Sequence, residues 1–487
     1  MKKHPLSRRI GAVLCAPLLV AAAATAQPLW PEPRPEPRPE QALRAGPRSV
    51  PNFEAPSATH CARPVSTREV PGFADPDPQG RAGVPDALAK AAPEARGTED
   101  RMRREAPPSA VASPAPRAPA APGIAARESF APHDPAPAQP QWAAPPTVTA
   151  GVVDDNADFS AYLAFRERTR VEHRPRDVRR RHLLEVKDRR GRPVGDAEVA
   201  VQGSSGYAMW ARTDAGGRAW LHPDAFDPLR SPQYEVVVRK DGAQSSARLA
   251  RGQKSAVEVV LDAAAPAPRA RLDLVFLIDA TGSMADEIDK LKATLRTITA
   301  EVAALPSRPD ICLGLVAYRD RGDAFVLRSH DFTNDVGAFL QQALYPLQAA
   351  GGGDYPEAMN EALHDTVHQL SWRGDGATRL VILLADAPPH LDYGAPHYDE
   401  DMLAALGKGI KVFGVGASGL DRQGEFIQRQ IAQYTGGKFV FLTYADAHRP
   451  GSGPGRETVH DVKNYSVDTL DRLVVRLITE ELAKAGR

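Results

Sequence analysis

The stretch that most constrains the fold of this chain is residues 272–287, which read LDLVFLIDATGSMADE. Residues 274–278 form an unbroken apolar run, which predicts a short strand buried on both faces. The run ends in Asp279, and Thr281 and Ser283 follow at alternate positions. A lone carboxylate at the end of a core strand is unfavourable unless another group compensates its charge. One carboxylate and two hydroxyl groups offer the oxygen ligands that Mg²⁺ or Ca²⁺ prefers, with water in the remaining positions.

The region that follows alternates between strand-like and helix-like segments as far as the last residue. The strand-like segments are 272–279, 311–318, 324–328, 379–385, 411–415 and 438–441. The helix-like segments are 284–304, 335–345, 357–370, 397–408, 421–434 and 467–485. This alternation predicts an α/β fold, a doubly wound and mostly parallel sheet with helices on both faces. Ligands of such sheets bind beyond the carboxyl ends of the strands, which is where Asp279 falls.

A second apolar strand of this region, residues 381–385, is followed directly by Asp386. An Asp-x-Thr-x-Ser motif after one buried strand and an Asp after a later one resemble the metal-ion-dependent adhesion site, or MIDAS, of von Willebrand factor type A (VWA) domains. The resemblance implies a Rossmann-like VWA domain over residues 270–487. It also implies that one divalent cation, Mg²⁺ or alternatively Ca²⁺ or Mn²⁺, is bound by Asp279, Thr281, Ser283, Asp354 and Asp386.

The loop that would supply the third metal-binding segment departs from the family pattern. It reads GGGDYPE over residues 351–357, so that Asp354 stands where the family usually has Thr. Together with Tyr-Arg-Asp at 318–320, this form resembles a bacterial and α-kinase-associated branch of the family. A third carboxylate should strengthen the hold on the cation and weaken the positive field offered to an acidic ligand. The alternative is that Asp354 caps the helix predicted from Glu357.

Two other acidic motifs have simpler interpretations. Residues 321–323 spell Arg-Gly-Asp, the tripeptide that integrins recognise, but their position predicts a charged turn between two strands. Asp286 and Glu287 lie near the start of a predicted helix, where acids favour the helix dipole. Integrin β-like domains carry acids in a comparable place, so a second cation there is the alternative.

Histidines in the same region are candidates for metal binding or catalysis. His364 and His368 are spaced i, i+4 on a predicted helix, which suits Zn²⁺, but the sequence offers no third ligand and predicts two surface histidines. His390 and His397 flank a loop near Asp386 and are interpreted as loop residues, with an approach to the metal face as the alternative. No base partner for a nucleophilic hydroxyl group is evident in the sequence.

Residues 182–264 have an all-β pattern. Strand-like segments at 183–186, 197–201, 219–221, 234–238 and 256–261 are separated by turns, including an Asp-Gly hairpin turn at 241–242. Their number and spacing predict a β-sandwich. The pattern Gly-x-Pro-Val at 191–194, with Thr-Asp-x-x-Gly at 213–217, resembles carboxypeptidase-regulatory-like or transthyretin-like modules. That resemblance implies a spacer or binding module.

The first third of the chain predicts export and little folded structure. Residues 1–26 have a basic start, a short apolar core and an Ala-x-Ala site, and they predict a signal peptide. Most of the 45 prolines lie early, so residues 27–146 are predicted to be a disordered Pro/Ala-rich region. Residues 147–181 are predicted to be a helical and basic junction. Of the two cysteines after residue 26, Cys61 falls in the disordered region and Cys312 in a core strand, which predicts no structural disulfide.

These observations predict a periplasmic or extracellular protein that binds a protein partner at its metal face, in possible association with the cell envelope. Lys plus Arg and Asp plus Glu both number 61, which gives no reason to expect nucleic acid, and no segment after residue 26 is apolar enough to span a membrane. The predicted role is adhesion or scaffolding and not catalysis. The alternatives are a metal-dependent enzyme or enzyme subunit of the envelope, and a surface protein whose metal only stabilises the fold.

Overall fold

A computed structural model of the chain describes residues 61, 66–72, 147–262, 269–353 and 355–484, and for Asp286 the backbone alone. The strands, in chain order, are β1 (Thr67–Pro71), β2 (Thr149–Val153), β3 (His182–Lys187), β4 (Glu198–Gly203), β5 (Ala208–Arg212), β6 (Arg218–Leu221), β7 (Gln233–Lys240), β8 (Ala243–Ala250), β9 (Val257–Val260), β10 (Arg271–Asp279), β11 (Asp310–Tyr318), β12 (Phe325–Thr333), β13 (Ala377–Ala385), β14 (Ile410–Gly416), β15 (Phe439–Thr443) and β16 (Val467–Thr469). The predicted signal peptide and most of the predicted disordered region lie outside the described residues.

The longer helices are α1 (Phe159–Arg168), α2 (Ala285–Ala303), α3 (Met359–His368), α4 (Tyr398–Lys408), α5 (Arg422–Thr435) and α6 (Leu470–Ala483). Short helical turns occupy Pro223–Phe226, Gly282–Met284, Val336–Ala338 and Pro450–Ser452, and a π-helical turn occupies Phe339–Leu344. The predicted helix at 335–345 is therefore present as one continuous stretch, which begins as an α-helical turn and continues as a π-helical turn. Within the described part of the chain, no helix has both the length and the apolar character needed to cross a bilayer.

The largest sheet orders its strands β1-β12-β11-β10-β13-β14-β15-β2-β16 among the described residues. Its centre, from β11 to β15, is parallel, and the strands outside it pair antiparallel. Residues of β10 alternate between the two faces of the sheet. Leu274 and Phe276 pack in one core with α2 and α6, while Val275 and Leu277 pack in the other with α3, α4 and α5. The predicted doubly wound α/β arrangement is thus present, in a mixed sheet.

Two strands that were not predicted complete this sheet. β1 lies inside the region predicted to be disordered and pairs antiparallel with β12, and β2 lies inside the predicted helical junction and pairs with β15 and β16. Both strands are only five residues long, so their sequences show little of the apolar alternation that predicts a strand. The region predicted to be disordered, residues 27–146, therefore contains one strand, and the predicted helical and basic junction, residues 147–181, also contains one strand. The helix predicted for the junction is present as α1.

The prediction that the chain has no structural disulfide is wrong, because Cys61 and Cys312 are bonded to each other. Cys312 lies in β11, as expected, and both cysteines are buried. The pair is separated by 251 positions in the sequence. No predicted element contained Cys61, so nothing placed it beside a core strand. The strand β1, which begins a few residues after Cys61, is what brings this cysteine to the sheet.

The all-β region folds into two small sheets, β6-β3-β9 and β5-β4-β7-β8. The predicted strands are present, and the structure adds β5 and β8. The apolar pattern of β8 is weak because most of its residues are polar or exposed. The Asp-Gly turn joins β7 to β8 with positive φ angles at Asp241 and Gly242, as a tight hairpin requires. Apolar side chains of both small sheets belong to the same core as Val275 and Leu277 of β10, so this module packs directly on the α/β domain.

His222 lies at the contact between the all-β module and the α/β domain, and its protonation is expected to make the stability of the fold depend on pH. Its ring stacks on Tyr434 of α5 at a centroid distance of 4.8 Å, and neither ring nitrogen has a hydrogen-bond partner among the described residues. Burial, and then the nearby charge of Arg181, lowers the pKa of His222 from 6.5 to about 3. Between about pH 3 and pH 6.5, His222 is therefore protonated in the unfolded chain and neutral in the folded chain. The stabilisation is complete above about pH 6.5 and is lost as the pH falls towards 3.

We expect acidification from pH 7 to pH 5 to lower the free energy of unfolding through this residue by about 2 kcal/mol. The H222F variant keeps a ring on Tyr434 but cannot take up a proton. Its melting temperature should therefore fall less over this pH interval than that of the wild type, while H448Q, which changes an exposed histidine, should follow the wild type. Parallel pH profiles of H222F and wild type would contradict the assignment.

Candidate metal centre

Two neighbouring parallel strands end in acidic residues at the same edge of the large sheet. β10 and β13 pair in parallel, with Ile278 opposite Leu384. Asp279 is the last residue of β10, and Asp386 follows directly after β13. Both side chains are buried, Asp279 completely. The chain topology thus brings together the two aspartates that the sequence predicted as ligands.

The remaining residues of the first motif extend from Asp279 towards the surface. Oδ1 of Asp279 accepts hydrogen bonds from the Thr281 amide at 3.0 Å and from the Thr281 hydroxyl group at 2.7 Å. Oγ1 of Thr281 lies 3.1 Å from Oγ of Ser283. Thr281 is buried and Ser283 is exposed. The motif therefore forms a continuous row of oxygen atoms from the core to the solvent.

Two carboxylate oxygens at this edge lack the partners that buried oxygens need. Oδ2 of Asp279 and Oδ1 of Asp386 are buried and form no hydrogen bond within the described residues. Burial, together with the charge of Asp386, raises the pKa of Asp279 to about 7. Burial also raises the pKa of Asp386, an effect that Ser283 opposes by hydrogen bonding and the charge of Glu287 strengthens. A buried carboxyl pair of this kind needs positive charge or protons for compensation.

Tyr318 is a member of this cluster that the sequence interpretation used only as a flanking residue. It ends β11 directly opposite Asp279 and is completely buried. Burial, followed by the charges of Asp279, Asp386 and Glu357, raises the pKa of its hydroxyl group well above the ordinary value. The signal that could have identified it is its position, because it ends the strand that neighbours β10.

The glycine-rich loop lies against the first motif and needs its glycines. The amide of Gly282 donates to the carbonyl oxygen of Gly351 at 3.0 Å, and a Cβ atom on Gly282 would lie 2.8 Å from that oxygen. Gly351 has φ of 75° and Gly352 has φ of 70°, values that residues with a side chain rarely adopt. Asp354, the predicted ligand from this loop, lies outside the described residues.

The Arg-Gly-Asp tripeptide forms the predicted turn, between β11 and β12, and its aspartate has an additional role. Oδ2 of Asp323 accepts hydrogen bonds from the amide of Gly352 at 2.7 Å and from the amide of Asp320 at 3.1 Å. A Cβ atom on Gly351 would collide with the same carboxylate. Asp323 therefore holds the glycine-rich loop in place. The sequence around Asp323 does not indicate this contact, because its partner Gly352 lies 29 positions later in the chain.

Glu287, part of the candidate second cation site, is occupied by hydrogen bonds. It is buried, and its carboxylate accepts from the hydroxyl groups of Ser418 and Tyr444, the latter at 2.7 Å. The charge of Glu287 acts on Asp386, as described above, so it belongs to the surroundings of the same centre. The side chain of Asp286 lies outside the described atoms.

His390 and His397 take different positions around the loop after β13. Nε2 of the buried His390 lies 3.2 Å from Oδ1 of Asp320. Burial lowers the pKa of His390, but the hydrogen bond and charge of Asp320 outweigh it and raise the pKa overall. His397 is the residue that precedes the first turn of α4. The hydrogen bond of His390 is directed at Asp320 and not at Asp279 or Asp386.

The donor set at this edge fits a hard divalent cation. Its contributors are carboxylate and hydroxyl oxygens, which Mg²⁺, Ca²⁺ and Mn²⁺ prefer over nitrogen or sulfur. The two unpartnered carboxylate oxygens are the atoms that a cation would satisfy, and the exposed Ser283 leaves an approach from solvent. The residues that could hold the ion are Asp279, Thr281, Ser283 and Asp386.

The domain that contains these residues has a sequence that matches a known domain family. Residues 273–444 match the sequence model of the von Willebrand factor type A domain. A VWA domain is therefore present. Its large mixed sheet and helices agree with the match, and VWA domains commonly bind a divalent metal. The match includes β10 to β15 of the sheet and leaves out β1, β2, the all-β module and α6.

Two proteins with known names are similar to part of the chain. The α-protein kinase vwkA of Dictyostelium discoideum is 32% identical over 120 residues, which are 24% of this chain and 19% of the kinase. An ariadne-like RING finger protein, R811, of Acanthamoeba polyphaga mimivirus is 30% identical over 122 residues, 25% of this chain and 12% of that protein. The chain thus spans less than a fifth of either relative.

Proposed function

We propose that this protein is an exported binding protein that captures a protein partner through a divalent cation held by its VWA domain. The cation, Mg²⁺ or alternatively Ca²⁺ or Mn²⁺, is bound by Asp279, Thr281, Ser283 and Asp386. Asp354 remains an additional ligand predicted from the sequence. The role is adhesion or scaffolding, without catalysis at this face. VWA domains are associated with protein interaction, and this general association supports the proposal.

The observation that carries the proposal is the pair of buried carboxylate oxygens without hydrogen-bond partners, on Asp279 and Asp386. Buried oxygens of native proteins are nearly always satisfied, and unsatisfied ones point to an ion or another group that completes the site. A bound cation would supply a Lewis-acidic coordination position that a partner's oxygen atom can fill. Thr281 and Ser283 orient the open side of the site towards solvent, because the first is buried and the second exposed.

The proposed location in the periplasm or outside the cell is supported by the Cys61–Cys312 disulfide. Disulfides persist in oxidising compartments and are rare in the cytosol. The signal-peptide pattern of residues 1–26 and the envelope association rest on the sequence alone. The bond joins Cys61, which lies within the Pro/Ala-rich region, to the core of the VWA sheet, so an oxidising environment would keep Cys61 anchored there.

The negative charge of the buried carboxylates around the centre limits which chemical groups of a partner suit this face. Asp279, Asp386, Glu357 and Glu287 are all buried at or beside it. This negative charge favours tight binding of the cation and lowers the net positive field that reaches a partner. A partner that donates a neutral carbonyl or hydroxyl oxygen, or one carboxylate flanked by basic residues, therefore suits this face better than a strongly acidic surface does.

The test measures Mg²⁺ binding and partner capture on the same variants. Asp279→Asn keeps the shape of the side chain and removes its charge, so we expect the affinity for Mg²⁺ to fall by more than about tenfold and capture from an envelope extract to be lost. The matched control is Asp392→Asn, which changes an exposed acid beside His390 and should bind Mg²⁺ like the wild type. Equal capture with Mg²⁺ and with a chelator would contradict the proposal.

The stability of the same variant separates a binding role from a purely structural metal. In the metal-free protein the neutral amide of Asp279→Asn removes the repulsion within the carboxyl pair, so the melting temperature should stay equal or rise. A bound cation stabilises the folded state in either role, so the deciding comparison is capture at a temperature at which the variant is fully folded. Loss of capture by the folded variant supports the binding role. Capture retained by the folded variant without bound Mg²⁺ would favour a metal that only stabilises the fold.

A further inference from the structure

A second group of potential metal ligands lies between helices α3 and α4. His364 and His368 are one turn apart on α3, and Asp401 lies in the first turn of α4. The expectation of two surface histidines without a third ligand is wrong, because His364 is only 6% exposed and Asp401 faces both rings. The histidine spacing was visible in the sequence. The carboxylate was not, because it comes from another helix 33 positions later.

The three side chains converge on one point. Nδ1 of His364 lies 2.9 Å from Oδ1 of Asp401, and Nε2 of His368 lies 3.0 Å from the same oxygen. The two imidazole rings are 4.4 Å apart, centroid to centroid. The ligand atoms of all three residues lie within 4.8 Å of one another. Nitrogen and oxygen ligands in a tetrahedral zinc site, with bonds of about 2.0–2.1 Å, are roughly 3.3 Å apart, so a small outward movement would admit an ion.

Both histidines contact the same oxygen of Asp401, Oδ1. Asp401 is 3% exposed, and its second oxygen, Oδ2, is buried and forms no hydrogen bond within the described residues. The nearby amine of Lys408 donates to the carbonyl oxygen of Val367 at 2.7 Å. A buried carboxylate with one oxygen unsatisfied beside two imidazoles has the composition of a metal site as well as of a hydrogen-bond network.

We propose that Nδ1 of His364, Nε2 of His368 and a carboxylate oxygen of Asp401 bind Zn²⁺. Two imidazoles and one carboxylate are a common three-ligand set for this ion, and the fourth position is left to water. The ligand chemistry separates this site from the centre at Asp279, where all donors are oxygens and Mg²⁺ or Ca²⁺ is preferred. The side chain of His368 is 23% exposed, which gives the ion a route from solvent.

The zinc site would join two helices that pack on the same face of the VWA sheet. The residue after His364, Asp365, binds the hydroxyl group of Ser329 in β12 at 2.5 Å and pairs with Arg68 of β1. An ion on the adjacent turn therefore fixes the part of α3 that also holds the edge strand β1. Zinc binding should accordingly protect α3 and α4 from hydrogen exchange more than it protects helices α2 and α6 on the opposite face.

The test uses the full chain without a histidine tag, in excess Mg²⁺ to fill the oxygen site, with Zn²⁺ or Co²⁺ as the probe. We expect one equivalent of Zn²⁺ to bind, and Co²⁺ to give the intense visible absorption of a tetrahedral site with nitrogen ligands. His368→Gln keeps a hydrogen-bonding group near Asp401 and should weaken zinc binding by more than about tenfold. His448→Gln changes an exposed histidine elsewhere and should bind zinc like the wild type.

Each outcome decides for or against the site. A wild-type chain that binds no stoichiometric zinc, or whose Co²⁺ spectrum is octahedral, would show that the cluster is a hydrogen-bond network only. Equal zinc affinity in His368→Gln and wild type would place the ion elsewhere. If His368→Gln does not fold, the tetrahedral Co²⁺ spectrum and the exchange pattern of the wild type still decide, because neither depends on the variant.

Discussion

Replacing Asp196 by alanine is expected to lower the free energy of unfolding by about 3–5 kcal/mol, because the buried guanidinium groups of Arg379 and Arg212 would each lose a carboxylate partner, although Arg212 keeps its ion pair with Glu198. Asp196 lies between β3 and β4 of the all-β module and contacts the VWA domain. Its carboxylate is 2.7 Å and 3.1 Å from the two terminal nitrogens of Arg379 in β13, and 3.1 Å from a nitrogen of Arg212 in β5. Arg379 is 1% exposed. These contacts make Asp196 the ionic centre of the contact between the two folded parts.

The pKa of Asp196 supports this expectation. Burial alone would raise it, but the charges of Arg379 and Arg212 outweigh burial and lower the pKa to about 2. Since that value is below the ordinary 3.8 of the unfolded chain, the stabilisation is complete above about pH 4 and is lost as the pH falls through about 2. The loss on substitution should therefore be fully visible at neutral pH.

Two further variants separate charge from backbone effects in this experiment. Asp196 has φ of 54°, a conformation that asparagine tolerates and alanine does not, so Asp196→Asn isolates the loss of charge. Asp375→Ala removes a partly exposed acid that pairs with Lys240 at 3.1 Å across the same contact, and should change stability by less than about 1 kcal/mol. Denaturant unfolding followed by tryptophan fluorescence measures all three. An Asp196→Asn variant as stable as the wild type would refute the ionic explanation.

Removing the disulfide, by Cys61→Ala together with Cys312→Ala, is expected to lower the free energy of unfolding by about 2–5 kcal/mol. The bond closes a loop of 251 positions, so its loss frees a large conformational entropy in the unfolded chain. In the folded chain it anchors the segment before β1. The amide of Asn334 donates to the carbonyl oxygen of Cys61 at 2.8 Å, and the amide of Asp331 donates to that of Ser66 at the same distance.

Limited proteolysis and thermal unfolding of the double variant measure this effect. Without the bond, cleavage at residues 61–72 should precede cleavage in the rest of the sheet, because β1 is then held only by non-covalent contacts, chiefly its pairing with β12 and the ion pair of Arg68 with Asp365. The control is Glu69→Gln, which breaks only the exposed ion pair with Arg328 and should lower stability by less than about 1 kcal/mol. Equal melting temperatures of the double variant and the wild type would refute the assigned role.

The sequence predicts which side chains meet at this edge of the sheet where those residues follow strands. Asp279 and Asp386 each end a buried apolar run, and the parallel pairing of β10 and β13 then places them together without further information. Thr281 and Ser283 belong to the same local motif. Tyr318 could have been added by the same reasoning, since it ends the other neighbour of β10. Asp323 could not, because its contact with Gly352 depends on the path of a long loop.

Other parts of the structure depend on pairings that local sequence does not encode. β1 and β2 are short strands whose partners lie hundreds of positions later, and their pairing depends on the backbone edges that β12 and β15 present. The disulfide follows from β1 in the same way. The zinc-binding proposal needs Asp401 of α4 opposite two histidines of α3, a juxtaposition that requires the packing of two helices against the sheet.

The order of strands in the large sheet has a consequence for the solubility of fragments. A fragment that begins near residue 270 would contain the family match but would lose β1 and β2. The backbone of β12 and of β15 would then be exposed along one side each, and β16 would have no strand to pair with. Unpaired edges of this kind associate with one another and lead to aggregation. The segments before the VWA match therefore protect it from self-association, as well as linking it to the rest of the chain.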